Sequence, residues 1–480
     1  MKQQHIKKIL YSLVTLLTSM ITYGQDFTAT NGIAYTISGS EVSATGYTGN
    51  DTAVEIPNTV TNSGNTYTVT SIGNEAFMNK GLTSVTITDN VTSFGNNVFR
   101  DNQLTSVEIP ESVTNIEYGA FKDNQLTSVT IHNTVTDIGT VAFDGNELTS
   151  IDIPNSVTSI GRYTFRDNQL THVTIPNSVT RIGEGAFLDN QLTRVTVLAT
   201  TPPTFFGVDN IDVFFTNPNQ IDIFVPDGSG TAYQNHPDWT GFNIREPFVT
   251  TWAVGDNAYG DGDLTVTIPT TGSGYDFTVD WGDNSTPTTH VGSGANLASH
   301  EYPSADTYTI KIYGDFPRIY FNNSSESDKN KLLLVNDWGD IQWQSMSRAF
   351  YGCTHLEVTA EDAPNLENVT DMSYMFLDAR SLTGTATDLN SWNVANVEYM
   401  AYMFHSAKSF DADISGWNVS NVTTMRSMFE FAVDFNNGGQ PMNWASKTGK
   451  VTNMRSMFQG ANSFNADISG WDVSKVTDMS

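Results

Sequence analysis

The feature that most constrains this chain is a period of 22 residues that never slips. Ile72, Phe94, Ile116, Ile138, Ile160 and Ile182 stand at that step, as do Phe77, Phe99, Phe121, Phe143, Phe165 and Phe187, and Leu82, Leu104, Leu126, Leu148, Leu170 and Leu192. Self-similarity at such a step denotes stacked units, because one unit cannot bury its own apolar face and must lie against its neighbours. Within one unit Leu104, Val107 and Ile109 occupy offsets 0, 3 and 5, a spacing that places a short strand on one face of the coil. Val113, Ile116 and Phe121 complete the core of that coil. Residues 72–197 are therefore expected to form a leucine-rich solenoid.

The strand leaves a column between its inward residues: Thr86, Glu108, Thr130, Asp152, Thr174 and Thr196, flanked by a second of Ser84, Ser106, Ser128, Ser150, His172 and Arg194. Alternate strand residues face opposite ways, so both columns are expected to point outward. Small hydroxyls on a rigid sheet suit hydrogen bonding to a protein or a sugar, and a simply solvated face is the alternative. The threonine columns also suggest ice binding, against which the interrupting charges argue. Asp-Asn pairs at Asp101-Asn102, Asp123-Asn124, Asp167-Asn168 and Asp189-Asn190 precede the strand leucine. They read either as turn-forming ladders, since both types tolerate left-handed backbone, or as a calcium-binding edge.

Units such as Gln103-Leu104-Thr105-Ser106-Val107-Glu108-Ile109-Pro110, followed by Ser112-Val113-Thr114, Ile116 and Ala120-Phe121, resemble the BspA-like leucine-rich repeats of bacterial surface proteins. Asn31-Gly32-Ile33-Ala34-Tyr35 and Val54-Glu55-Ile56-Pro57 look like that family's N-terminal cap, and Phe224-Val225-Pro226 with Tyr233 and Trp239 like its C-terminal cap. The resemblance implies caps over 25–71 and 198–246.

After Pro247 the period gives way to alternation, with Thr265-Val266-Thr267-Ile268 and Tyr275-Asp276-Phe277-Thr278-Val279-Asp280-Trp281 reading as half-buried strands between glycine turns. Trp281-Gly282-Asp283, His300-Glu301-Tyr302 and Tyr308-Thr309-Ile310-Lys311-Ile312 resemble a PKD domain, which implies an immunoglobulin-like β-sandwich over 247–325. The chain departs from that pattern at Asn284 and Asp306, where glycines are usual. Asp256, Asp261 and Asp263, or Asp280 with Asp283, supply hard oxygens suited to calcium, without the full loop motif of a calcium site.

A second repeat occupies 326–480, marked by Met346/Phe350, Met372/Phe376, Met400/Phe404, Met425/Phe429 and Met454/Phe458. Its strands are expected where Leu389, Trp392 and Val394, Ile414, Trp417 and Val419, and Ile468, Trp471 and Val473 repeat the offsets 0, 3 and 5. Trp444 falls in a glycine-containing insertion and breaks the pattern. Cys353 takes the place of Ala379, Ala407, Ala432 and Ala461 in later units, so it reads as a small buried residue. This block also resembles the BspA-like surface family. Ser480 ends the sequence just where the repeat calls for another Met-Phe, so a fragment lacking its last cap and its anchor is expected.

Lys2, Lys7 and Lys8 before an apolar stretch from Ile9 to Ile21, with Thr22 and Gly24 behind it, form a signal peptide over 1–24. No later segment approaches the about 20 apolar residues of a membrane helix. A net charge of −29 repels nucleic acid and anionic membranes, and one cysteine provides no disulfide framework. The scattered histidines form no H-E-x-x-H and no serine stands in G-x-S-x-G, so no enzyme is expected. The whole reads as a mainly β repeat protein: a leucine-rich-repeat solenoid, an immunoglobulin-like sandwich, then a second leucine-rich-type solenoid. A secreted or cell-surface monomer that binds an extracellular protein or glycan without a cofactor is expected, with a structural spacer as the alternative.

Overall fold

The computed structural model describes residues 26–480 apart from 208–212, 215–220, 256–258, 260–261, 322–325 and 386–387, so the expected signal peptide lies outside the described residues. The chain forms two compact units, one reaching Asp222 and taking in Ala232–Asn243, the other made of Ile223–Thr231 and Ile244–Ser480.

The first unit begins with a cap in which strands Asp26–Thr28, Ile33–Ser38 and Glu41–Tyr47 pair antiparallel in turn, burying Ile33, Tyr35, Val42 and Ala44. The 22-residue coils then stack in parallel register. Ser106–Glu108 lies on Ser128–Thr130, and His172–Ile175 on Arg194–Val197, each residue beside its counterpart one period on. The isoleucine column, expected only as core, is a second parallel ladder that joins Asn115–Ile116, Asp137–Ile138, Ser159–Ile160, Arg181–Gly183 and finally Thr204–Phe206 of the cap. Coils approach so closely there that a Cβ on Gly161 would come 2.5 Å from the carbonyl carbon of Gly139.

Two further ladders hold the coils together. The phenylalanines stack from Phe77 to Phe187 and on to Phe214 of the cap, with ring centroids 5.4 to 5.6 Å apart. Asn102, Asn124 and Asn168 of the Asp-Asn pairs are buried, as is Asn146 behind Gly145, and Asn190 is half-buried. Asn146 donates to the carbonyls of Phe121 (3.1 Å) and Phe143 (3.0 Å) and accepts the Leu126 N–H (3.1 Å), and Asn102, Asn124, Asn168 and Asn190 repeat the arrangement. The aspartates beside them take left-handed backbone, φ +58° at Asp101 and +54° at Asp167, so these pairs build turns. Past the last coil Tyr233 Oη donates to the Ala199 carbonyl (2.6 Å) and Trp239 Nε1 to that of Pro203 (2.8 Å).

In the second unit a six-stranded sheet runs in the order Thr288–Ser293, Ser273–Asp280, Asp306–Asp315, Phe248–Val254, Leu332–Asp337, Glu357–Val358. A two-stranded layer of Thr265–Ile268 and Ala298–Glu301 accompanies it, and Trp252, Phe277, Trp281, Tyr302 and Ile310 fill one core. Asn284, in place of the glycine that the resemblance calls for, takes φ +65°, which asparagine tolerates. Strand Leu332–Asp337 falls within the expected second repeat block, yet it pairs with Phe248–Val254 on one side and with Glu357–Val358 on the other. The expected boundary at 325/326 is therefore crossed by a continuous sheet, and the hydrophobic core continues from Phe248 to Met457.

Beyond it the Met-Phe coils stack Phe350, Phe376, Phe404, Phe429 and Phe458 at 5.5 to 5.7 Å. The expected strands at the Leu/Ile-x-x-Trp-x-Val segments are not strands. Leu389–Ser391 is a 3-10 turn and Trp417 donates its N–H to Ile414. Side chains take over the bonding: the indole N–H of Trp417 donates to the Leu389 carbonyl one coil back (2.8 Å), Trp444 to Ile414 (3.1 Å) and Trp471 to Met442 (2.9 Å). Trp444, expected to break the pattern, is thus a regular member of the column. Asn437, fully buried, closes the insertion by accepting the Ile414 N–H (3.0 Å) and donating to the Gln440 carbonyl (2.9 Å). Isolated β-bridges join single residues, among them Asp371, Tyr399, Thr424, Asn453 and Asp478 ahead of the methionines, while further backbone hydrogen bonds run from coil to coil around each stacked phenylalanine.

Despite their different sequences, the two blocks share one turn. Left-handed backbone recurs four residues apart on either side of each stacked phenylalanine, at Glu75 and Asn79, Asn97 and Asp101, Tyr163 and Asp167, and again at Arg348 and Gly352, Tyr374 and Asp378, Ser427 and Phe431. Each first residue donates its N–H one coil forward, Glu75 to Asn96 (2.9 Å) and Arg348 to Ser373 (3.0 Å).

Replacing Asn146 by alanine strands the buried Leu126 N–H, while the Phe121 and Phe143 carbonyls still accept from Asn124 and Asn168, and should cost about 1–3 kcal/mol in urea unfolding. Asp167→Gly, at a column where Gly145 already stands, should stay within about 0.5 kcal/mol.

Candidate functional site

The strand face of the first solenoid holds the expected columns over four successive coils. Ser84, Ser106, Ser128 and Ser150 are exposed, as are Thr86, Glu108, Thr130 and Asp152, while Val107, Ile109, Ile151 and Ile153 between them are buried. Parallel pairing sets Ser106 beside Ser128 and Glu108 beside Thr130. His132 lies 3.6 Å from Glu108 and 3.7 Å from Glu111, which places an imidazole at the rim. The surface is a grid of hydroxyl donors and acceptors with two carboxylates, fixed in spacing by the backbone beneath.

The grid does not reach the last coils. His172 and Thr174 are half-buried, and Arg194 and Thr196 are buried, so the expectation that these residues face solvent is corrected. The chain turns there into its cap, with the Asp222 N–H donated to the Thr193 carbonyl (3.1 Å), and the final coil is packed as interior.

Of the expected calcium ligands, Asp256 and Asp261 lie outside the described residues. Asp263 accepts the Thr265 N–H (2.9 Å) and pairs with the buried Lys331. Asp280 accepts the Gly282 N–H (3.0 Å). Asp283 accepts from Ser285 (2.9 Å) and from His300 (2.8 Å), whose ring stacks on Trp281. Burial works to raise the Asp283 carboxyl, but the Ser285 and His300 hydrogen bonds outweigh it and hold the group below its ordinary range. Among the described residues no three His, Cys, Asp or Glu side chains are arranged to hold a metal ion.

Cys353 is fully buried and burial pushes its thiol up, away from the thiolate that a nucleophile needs. Ser406 Oγ lies 3.0 Å from His405 Nδ1, but Glu430 stands 3.7 Å from the other ring nitrogen, beyond hydrogen-bond reach. Among the described residues no helix is long and apolar enough to cross a membrane.

One electrostatic feature was not legible beforehand, because its members are far apart in sequence. Asp337 faces Asp227 and Asp362, and its carboxyl is pushed up to about 8 by burial first and by the two neighbouring carboxylates second. Asp362 itself accepts the N–H groups of Trp338 (2.9 Å) and Gly339 (2.8 Å). A carboxyl that keeps its proton when folded but loses it when unfolded stabilises the fold below the ordinary carboxylate range, and that contribution is lost as pH rises toward about 8. Denaturant midpoints should therefore fall between about pH 5 and pH 8, and Asp337→Asn should flatten that slope and raise the midpoint at the upper end.

Residues 70–196 match the BspA type leucine rich repeat region in six copies, and residues 344–448 and 442–480 match a family described as Mycoplasma protein of unknown function, DUF285. No curated protein matches the chain. Similar solved structures include a Treponema pallidum leucine rich repeat protein (24% identity, 35% of this chain and 70% of that one, TM-score 0.24). A leucine-rich repeat protein from Bacteroides ovatus is 15% identical over 89% of this chain and 88% of that one, TM-score 0.30. A leucine rich cell surface protein from Faecalibacterium prausnitzii is 16% identical over 95% and 98%, TM-score 0.27. Residues 70–196 are thus similar to BspA-type leucine rich repeats, and residues 344–480 to the DUF285 family.

Proposed function

We propose that this chain is an exported, non-catalytic binding protein of the cell surface or the extracellular medium, adhesin-like in action, that recognises a protein or a glycan through the strand face of its first solenoid. The observation that carries the reading is the exposed grid of Ser84, Ser106, Ser128 and Ser150 beside Thr86, Glu108, Thr130 and Asp152, on coils hydrogen-bonded to one another in register. A surface already rigid loses little entropy on binding, and repeated weak contacts along it add by avidity. The BspA-type repeats support the same reading.

In this reading residues 1–24 direct export, the layered sheets of the middle are a PKD-like spacer, and the chain acts as a monomer with no cofactor. The test is saturable binding of the full-length chain to immobilised extracellular proteins and glycans, with and without calcium. Thr86→Arg with Thr130→Arg should weaken binding by about tenfold or more while the melting temperature stays unchanged, equivalent to about 1.4 kcal/mol. Flat responses across the screen, from folded protein, would overturn recognition at this face and favour a structural spacer.

A further inference from the structure

In the second solenoid the first left-handed position of successive turns holds Arg348, Tyr374 and Tyr402, each with φ between +57° and +62°. The three residues stack along the coils. The Arg348 guanidinium lies 4.5 Å from the Tyr374 ring centre, the two tyrosine rings are 4.8 Å apart and inclined by 8°, and the Arg426 guanidinium closes the far side 5.4 Å from Tyr402. Arg426 is exposed, and Arg455 stands exposed at the equivalent place one coil further on.

The first solenoid supplies an internal contrast. There Arg166 also covers a tyrosine at the same turn position, 4.9 Å from the Tyr163 ring, but it is spent on a bidentate pair with Asp144 (2.8 and 2.8 Å), and Arg162 beside it pairs with Glu184 (2.6 Å). Arg380, elsewhere in the second block, is likewise paired with Asp378 (2.7 Å). Among the described residues no ion pair takes up Arg348, Arg426 or Arg455. Asp478 lies within electrostatic reach of Arg455 and Arg426, but its carboxylate accepts the Ser480 N–H (3.1 Å) and hydroxyl (2.9 Å). Guanidiniums held flat by stacking keep their N–H edges free and pre-aimed at oxyanions.

We propose that the stack of Arg348, Tyr374, Tyr402 and Arg426, extended by Arg455, is a binding ridge for an extended acidic polysaccharide, one carrying carboxylate or sulfate groups. The ring faces are consumed within the stack, so recognition runs through guanidinium and phenol edges, which match oxyanions and sugar hydroxyls. A peptide strand would need free backbone groups, and here they are spent coil to coil: Arg348 donates to Ser373 (3.0 Å), Tyr374 to Ala401 (2.9 Å) and Tyr402 to Arg426 (2.9 Å). The acidity of the rest of the chain is screened beyond about 8 Å at physiological salt, so the local cations decide. This ridge is separate from the strand face of the first solenoid and stands whether or not that face binds.

The test measures retention of the full-length chain on heparin and on polygalacturonate, with poly-glutamate and neutral dextran in parallel. We expect salt-sensitive binding to one or both acidic polysaccharides, weakened about tenfold in Arg348→Ala with Arg426→Ala, a change of about 1.4 kcal/mol. Arg426→Ala alone, at an exposed side chain, should give a smaller loss with an unchanged melting curve, and Arg380→Ala should bind as the parent does. The two polysaccharide arms tell sulfate from carboxylate recognition. No retention on either acidic polysaccharide, undiminished binding by the folded double variant, or preference for poly-glutamate or dextran would overturn the proposal.

Discussion

Every coil of both repeat blocks is hydrogen-bonded along the stacking axis, and that is feasible only because the backbone swings into the left-handed region twice in five residues around a buried phenylalanine. With both swings in place, the N–H groups at alternate positions of the turn point to the next coil, and the phenylalanine ring points inward to stack on its counterpart. Left-handed backbone disfavours most side chains, and a stack of coils recovers that cost through hydrogen bonds and ring contacts that a single coil lacks. Glycine, asparagine and aspartate hold many of these positions, while valine, tyrosine, arginine and phenylalanine hold others.

The two blocks differ in the side chains that add hydrogen bonds between coils. In the first, the asparagine column gives at least three hydrogen bonds per residue, bridging carbonyls of two coils and a leucine N–H. In the second, the indole column gives one bond at each of Trp417, Trp444 and Trp471. Trp392, the first of that column, has its indole N–H buried without a partner, as do Trp338 and Trp343.

Rigidity of this origin bears on recognition. A surface side chain inherits its spacing from the coil beneath it, so the serine and threonine columns of the first block and the arginine–tyrosine stack of the second are ordered before any ligand arrives. The two surfaces differ in chemistry: one is a grid of small hydroxyls with carboxylates, the other a line of cations and phenols.

Periodicity alone determined that the chain contains two repeat blocks, which residues fill their cores, and that Cys353 belongs to an alanine column, because a fixed step forces equivalent residues into equivalent places. Alternation likewise marked the strands Thr265–Ile268 and Ser273–Asp280. Tertiary structure decided the rest. The burial of Arg194 and Thr196 depends on how the chain enters its cap. The pairing of Leu332–Asp337 with Phe248–Val254 joins segments some eighty residues apart, and the place of Trp444 in the indole column depends on an insertion looped out and closed by Asn437. The physical reason is common to all three: a period reports what repeats with the coil, whereas caps, sheet edges and clusters such as Asp227, Asp337 and Asp362 arise once, from contacts between segments that share no pattern.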